Sequence, residues 1–227
     1  MKEFVEHLLV QERTLFFLLN GSDSVFLDNA MWILSRTNVW FLFYLFVAVF
    51  LFHKTLKKEA ALILLFFVLT LVFCDQFSSG LVKPFFERLR PTHHPDFKNL
   101  VDIVHGHRGS GFSFISGHAT NSFGFAVFLS LIFRNGWLTS IGLVWAALIS
   151  YSRIYLGMHF ISDVVGGMLS GTLIAFMMYA LFSYFRKKVL PLASSAKEKI
   201  YPENHGKRLA FVFAVYSIGV LVYGQFV

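Results

Sequence analysis

The stretch that decides the fold is Ser152-Arg153-Ile154-Tyr155-Leu156-Gly157-Met158-His159-Phe160-Ile161-Ser162-Asp163. It places an arginine, a histidine and an aspartate between two long apolar runs, 137–155 and 161–185. A bilayer core about 30 Å thick needs roughly 20 apolar residues at about 1.5 Å rise each, so both runs read as membrane spans. The ionisable residues between them then lie at a membrane face, where unpaired charge is costly and marks function.

Working outward, further spans are expected over 58–80, 118–134 and 207–226. Residues 39–52 are strongly apolar but short, and extend backward through Trp32 or snorkel at their ends. The first 35 residues hold two weaker segments, 4–19 and 25–34, which mix charge with apolar residues and read as amphipathic interfacial helices, with one of them left open as a further span and five to seven spans allowed in all. The expected fold is all-α: a polytopic membrane helical bundle of about six transmembrane helices. It forms one integral-membrane domain over 1–227, with a catalytic core over 58–185, an outer loop over 84–116 and a last span over 207–226. The outer loop carries three prolines, three glycines and four histidines. A second polar stretch, 190–207, reads as a plain connection.

Composition agrees. Hydrophobic residues make up 56%, phenylalanine alone contributes 29 residues, and charged residues fall to 15%. A soluble chain of this length needs more polar surface than that. The formal charge of +7 comes largely from short basic runs beside apolar segments, such as Arg186-Lys187-Lys188. That is the pattern of topology signals, and it argues against nucleic acid as a partner. Counting lysine and arginine on alternating sides puts Lys54, Lys57, Lys58, Arg134 and the 186–208 cluster in the cytoplasm. The 84–116 loop then faces outward. Cys74 lies in an apolar run and is expected to be inert. The N-terminus lacks the order of a cleaved signal peptide.

Three segments are expected at the outer face: Lys83-Pro84-Phe85-Phe86-Glu87-Arg88-Leu89-Arg90-Pro91, Ser116-Gly117-His118, and Ser152 to Asp163. An anionic phosphate needs fixed cations and backbone donors around its oxygens. Lys83 and Arg90, seven apart, can share a helix face, and Arg153 adds a third cation. Ser116, Gly117 and the start of the following helix add neutral donors and a positive dipole end. His159 and Asp163 stand at i and i+4, so the carboxylate can fix one ring nitrogen and leave the other free to attack. His118 is a second imidazole suited to general acid–base work. Each piece alone has a plain structural reading: a snorkelling anchor, a loop tripeptide, a helix-surface hydrogen bond. Their joint occurrence at one face favours chemistry.

These segments resemble the type-2 phosphatidic acid phosphatase superfamily, whose site is shared with vanadium haloperoxidases. The family pattern is Lys, six residues, Arg-Pro; Pro-Ser-Gly-His; and Ser-Arg, five residues, His, three residues, Asp. Here Ile115 stands where the family has proline. The resemblance implies a lipid phosphatase in which His159 is the nucleophile, Asp163 its orienter and His118 the acid. It implies that Lys83, Arg90, Ser116, Gly117 and Arg153 bind phosphate, and that no metal or other cofactor is needed. The expected partners are a lipid phosphate substrate and membrane lipids, with the oligomeric state left open. Candidate substrates are undecaprenyl diphosphate, lipid A phosphate, phosphatidylglycerophosphate and phosphatidic acid, in a bacterial inner membrane with the site facing outward. A vanadate-dependent haloperoxidase and a non-enzymatic lipid-binding or transport protein are the competing readings.

Three other features carry weaker signals. His105-Gly106-His107 has ligand types for zinc but reads as a solvated loop. Asp75 and Gln76 sit late in a span, where they either support Lys83 along a 75, 79, 83 ladder or form a plain hydrogen-bonded helix end. Gly167 and Gly171 have the small-residue spacing that permits close helix contact, expected within the bundle.

Overall fold

A computed structural model describes residues 2–53, 55–190 and 199–226. Lys54 and residues 191–198 of the 190–207 connection, including Pro191 and Lys197, lie outside the described residues. The described chain is helical throughout, with no β-strand. Two helices precede the bundle, α1 (Lys2–Leu19) and α2 (Val25–Ser35), and a short 3-10 turn (Thr37–Trp40) leads into α3 (Phe41–Phe50). Next come α4 (Lys57–Asp75), a π-helical stretch (Gln76–Val82) and α5 (Lys83–Phe86). The remaining helices are α6 (Gly117–Phe133), α7 (Gly136–Tyr155), α8 (Ile161–Val189) and α9 (Glu203–Gly224).

Four helical stretches are long and apolar enough to cross a membrane: Lys57–Phe86, α7, α8 and α9. The run expected at 39–52 is the second arm of a broken element. α2 and the Thr37–Phe50 arm together qualify as a span but bend by 66° between Ser35 and Thr37. So 25–34, read from sequence as interfacial, is the first arm of that bent pair. α6 is apolar but only 17 residues long. It can be short because α4, α7 and α8 all pack against it, so its length need not match the bilayer.

The surface is turned inside out relative to a soluble protein. Phe41, Leu42, Leu45 and Val49 on α3, Leu65, Val68 and Val72 on α4, and Leu169, Leu173 and Phe176 on α8 are all exposed. Contiguous apolar surface on this scale calls for lipid. Inside, aromatic rings do much of the packing: Phe43 stacks on Phe213 at 4.3 Å, and Trp40 meets Trp145 edge-on at 5.2 Å. At the cytoplasmic end of the expected topology, Arg186 is not a free topology signal. It is buried and paired with Glu59 at 2.6 Å, tying α8 to α4.

The α6–α8 contact positions the site, and glycine makes it possible. A Cβ on Gly167 would lie 2.6 Å from the Ser116 carbonyl oxygen, and one on Gly171 only 2.1 Å from that of Thr120. The spacing seen in the sequence therefore serves packing within the bundle. With the helices this close, the Ser116 N–H donates to the Asp163 carbonyl at 2.9 Å, locking the start of α6 to the start of α8. Gly171→Ala is expected to lower the thermal midpoint in detergent, since overpacking costs about 1–3 kcal/mol. Gly219→Ala, where nothing lies within 4 Å, is the control. It should leave the midpoint unchanged or raise it, because alanine is the better helix former.

Candidate active site

The ends of α4–α5, α6 and α7 nearest the 84–116 loop, with the end of α2 and the start of α3, surround a cavity of about 330 Å³. Lys83, Arg90, Gly117, His118, Arg153 and His159 all line it. The three segments singled out in the sequence thus meet at one place.

Local structure delivers each residue differently. The π-helical stretch widens the turn before Lys83, which departs from the regular 75, 79, 83 ladder of an α-helix; π segments of this kind are common at functional sites. α5 then ends at Phe86, and Glu87 adopts a left-handed conformation with φ of 50°. Lys83 and Arg90 therefore do not share a helix face, as their spacing had suggested. Arg90 instead reaches the cavity from the neck of the outer loop. Its Nε donates to the carbonyls of Ser110 and Gly111 at 3.0 and 3.2 Å, and its Nη1 to the Met158 carbonyl at 3.1 Å. The loop is closed at its base by the Ser113 N–H donating to the Arg88 carbonyl at 2.8 Å.

His159 follows a tight turn off α7. Gly157 has φ of +65°, and a Cβ there would lie 2.4 Å from Val101, so glycine is required on both counts. The Met158 and His159 N–H groups both donate to the Arg153 carbonyl, at 2.9 and 3.1 Å, which fixes the nucleophile candidate against the end of α7. His159 Nε2 is 3.3 Å from Arg90 Nη1. Burial lowers the imidazole pKa to about 3, so the ring is neutral near pH 7 with a lone pair available.

The expected direct bond from His159 to Asp163 is absent. Nδ1 and Oδ2 are 3.6 Å apart, beyond hydrogen-bond reach, because α8 starts only at Ile161. Asp163 sits at the third position of that helix, and its Oδ2 accepts from the Phe160 N–H at 2.8 Å, capping the helix. Ser113 fills the gap: its Oγ is 3.3 Å from His159 Nδ1 and donates to Asp163 Oδ2 at 2.5 Å. Neutral His159 can then donate from Nδ1 to Ser113 and keep Nε2 toward the cavity.

Asp163 is wholly buried and needs a counter-charge, which Arg88 supplies at 2.6 Å. Arg88 also pairs with Glu12 of α1 at 2.8 Å and stacks over the Phe160 ring at 4.5 Å. Glu12 in turn accepts from the N–H and hydroxyl of Ser162 at 2.6 and 2.7 Å. Arg88 is therefore neutralised, whereas Lys83, Arg90 and Arg153 have no carboxylate at ion-pair distance among the described residues. The Nε of Arg153 is buried without a partner. Three uncompensated cations around one imidazole make a site for an anion.

Ser116 departs from its expected role. It is fully buried, and its Oγ accepts from the Ala119 N–H at 3.4 Å as the cap of α6. It does not line the cavity, whereas Gly117 does. Ile115, in the place of the family's proline, is buried against Gly166, where a Cβ would lie 2.7 Å from it. His118 Nε2 is 3.0 Å from the Ser35 carbonyl, so the end of α2 orients the second imidazole. His105 and His107 pack edge-on against Trp32 at 5.3 and 5.2 Å. Among the described residues, no three His, Cys, Asp or Glu side chains gather closely enough to share a metal.

The model of the PAP2 superfamily matches residues 39–187. The chain belongs to the PAP2 superfamily. Among PAP2 relatives, the chain is 39% identical to a lipid A 4'-phosphatase of Porphyromonas gingivalis over 93% of this chain and 92% of that one. It is 36% identical to one of Bacteroides thetaiotaomicron over 74% and 75%. An undecaprenyl-diphosphatase of Sulfolobus acidocaldarius is 29% identical over 72% and 74%. A PAP2-type phosphatidylglycerolphosphate phosphatase structure from Bacillus subtilis superposes with a TM-score of 0.60 over 81% of this chain and 88% of that one, at 22% identity. The structure of Aquifex aeolicus LpxE gives 0.57 over 75% and 95%, at 26% identity. The protein is thus a PAP2 lipid phosphatase, a multi-pass membrane hydrolase acting on a lipid phosphate.

Sequence reasoning missed Ser113, Arg88, Ser162, Glu12 and the Ser35 carbonyl. Arg88 lay inside a quoted segment and was counted only as an outer cation. Glu12 carried no local signal at all.

Proposed function

We propose that this PAP2 enzyme removes the phosphate from a sugar-linked lipid phosphate of the lipid A type, through a phosphohistidine on His159. The observation that carries the mechanism is the neutral His159 Nε2 held among Lys83, Arg90 and Arg153, with Nδ1 directed to Ser113. The substrate class is suggested by the names of the two relatives with the highest identity given above.

In the first step Nε2 attacks phosphorus and the bond to the lipid oxygen breaks. The leaving alkoxide takes a proton from His118. The cations and the Gly117 N–H hold the three non-bridging oxygens as charge builds on them. In the second step water attacks phosphorus, His118 takes a proton from that water, and the P–N bond breaks to free inorganic phosphate. With the His118 Nε2–H committed to the Ser35 carbonyl, Nδ1 is the atom that trades protons: the ring enters the first step as imidazolium, gives its Nδ1 proton to the alkoxide, and regains one from water in the second step. The cations already supply the charge a metal would bring, so turnover should persist in a chelator. The lysine and arginine bias supports a cavity that opens at the outer face of the membrane.

The test is phosphate release in detergent from a panel of lipid phosphates, with orthovanadate added. Five-coordinate vanadate resembles the phosphorus in transfer, so inhibition should be competitive with lipid and tighter than substrate binding. Undiminished rates at saturating vanadate would remove the phosphohistidine mechanism.

A further inference from the structure

The cavity is deeper than a phosphate needs. Lys83, His118, Arg153 and His159 form its outer rung. Below them, three helices continue the lining inward. From Lys83, Ser79 and Asp75 follow on α4 and its π-helical extension. From His118, Asn121 and Ser122 follow on α6. From Arg153, Ile149 and Trp145 follow on α7. At about 1.5 Å per residue, Trp145 lies roughly 12 Å further in than Arg153.

This inner half sets polar groups beside the apolar Ile149 and Trp145. Asn121 Oδ1 and the Trp145 indole N–H are both buried with no hydrogen-bond partner, and Trp145 is only 4% exposed. One is an acceptor and the other a donor. Unpaired buried groups of either kind are rare and point to something that pairs with them. Asp75 and Ser79 add an acid and a hydroxyl to the lining, and Tyr44 lines the same cavity.

Geometry relates these groups to the leaving group. Asn121 and Ser122 stand three and four residues after His118, on the same face of α6. Whatever is attached to the oxygen protonated by His118 therefore meets Asn121 next. A prenyl phosphate would put a methylene there and leave both unpaired groups unsatisfied. A sugar would bring hydroxyls, each able to give to Asn121 or Asp75 and to receive from Trp145.

We infer that the inner half of the cavity is a hydroxyl-binding subsite, formed by Asn121, Trp145 and Asp75, that receives the sugar ring carrying the scissile phosphate. The inference rests on the phosphatase reading above and names what selects the substrate within it. A subsite built to hydrogen-bond a hydroxyl discriminates strongly against an analogue lacking it, because its own groups are then left unpaired.

The experiment compares kcat/KM for an acylated glucosamine phosphate and a prenyl monophosphate, in wild type, Asn121→Ala and Trp145→Phe. Wild type should favour the sugar phosphate by about 100-fold or more, a comparison that needs no variant to fold. Each substitution should reduce that preference by about tenfold, the scale of one hydrogen bond. The loss should fall mainly on the sugar substrate. A wild type that prefers the prenyl phosphate, or variants that lose equally on both substrates, overturn the subsite while leaving the phosphatase intact. Release from neither substrate by wild type overturns the phosphatase reading itself, and the subsite with it.

Discussion

Replacing His159 with alanine should abolish phosphate release, by roughly 10⁶-fold in kcat on the scale seen for nucleophile deletions, and leave the bundle folded. The side chain is neutral and buried, and removing it strands little. Arg90 keeps its bonds to Met158, Ser110 and Gly111, and Ser113 keeps Asp163. The turn that carries residue 159 is set by the backbone bonds to Arg153 and by Gly157, which the substitution does not touch. The thermal midpoint in detergent should therefore stay near wild type. Phosphate release at the wild-type rate would show that another group accepts the phosphoryl, and the assignment would fall.

His118→Ala should fail differently. His118 handles only a proton in the first step, so its loss should scale with the need of the leaving group for one. A sugar or glycerol alkoxide leaves poorly unprotonated. A nitrophenolate leaves readily. General acid–base contributions are typically about 10²–10⁴-fold, so the variant should lose that much on a lipid monoester and far less in the first step with an aryl phosphate. Because the same imidazole activates water afterwards, the phosphoenzyme should accumulate with the aryl substrate and be trapped by a neutral or alkaline quench, since the P–N bond is acid-labile. No phosphoenzyme should form in His159→Ala. Equal first-step losses on both substrates would remove His118 from the acid role.

Much of this architecture was legible because the bilayer imposes simple rules. Long apolar runs marked α4, α7, α8 and α9, and charged residues between them marked the outer face. The three motif segments were found because their residue types are costly at a membrane surface unless an anion binds. What stayed hidden depended on local backbone departures. The left-handed Glu87 ends α5 early, so seven-residue spacing no longer meant a shared face. α8 begins after His159, so i and i+4 no longer meant a hydrogen bond, and a serine from 46 residues earlier stands between the two. The 66° bend after Ser35 made two short arms out of one apparent span and an interfacial helix. Glu12 was invisible because its partner lies 76 residues away and nothing in the surrounding helix announces it.

The tie from Glu12 through Arg88 to Asp163 bears on how the molecule is made. Its links join residues 76 and 75 apart in sequence. When α7 has just entered the membrane, the chain already holds Lys83, Arg90, Ser113, His118 and Arg153, and yet the aspartate has no helix to sit on. The buried carboxylate meets Arg88, itself paired with Glu12 of α1, only once α8 inserts and docks against α1. A chain that has not yet inserted α8 therefore lacks this buried pair, and the catalytic assembly is expected to be complete only when the topology closes.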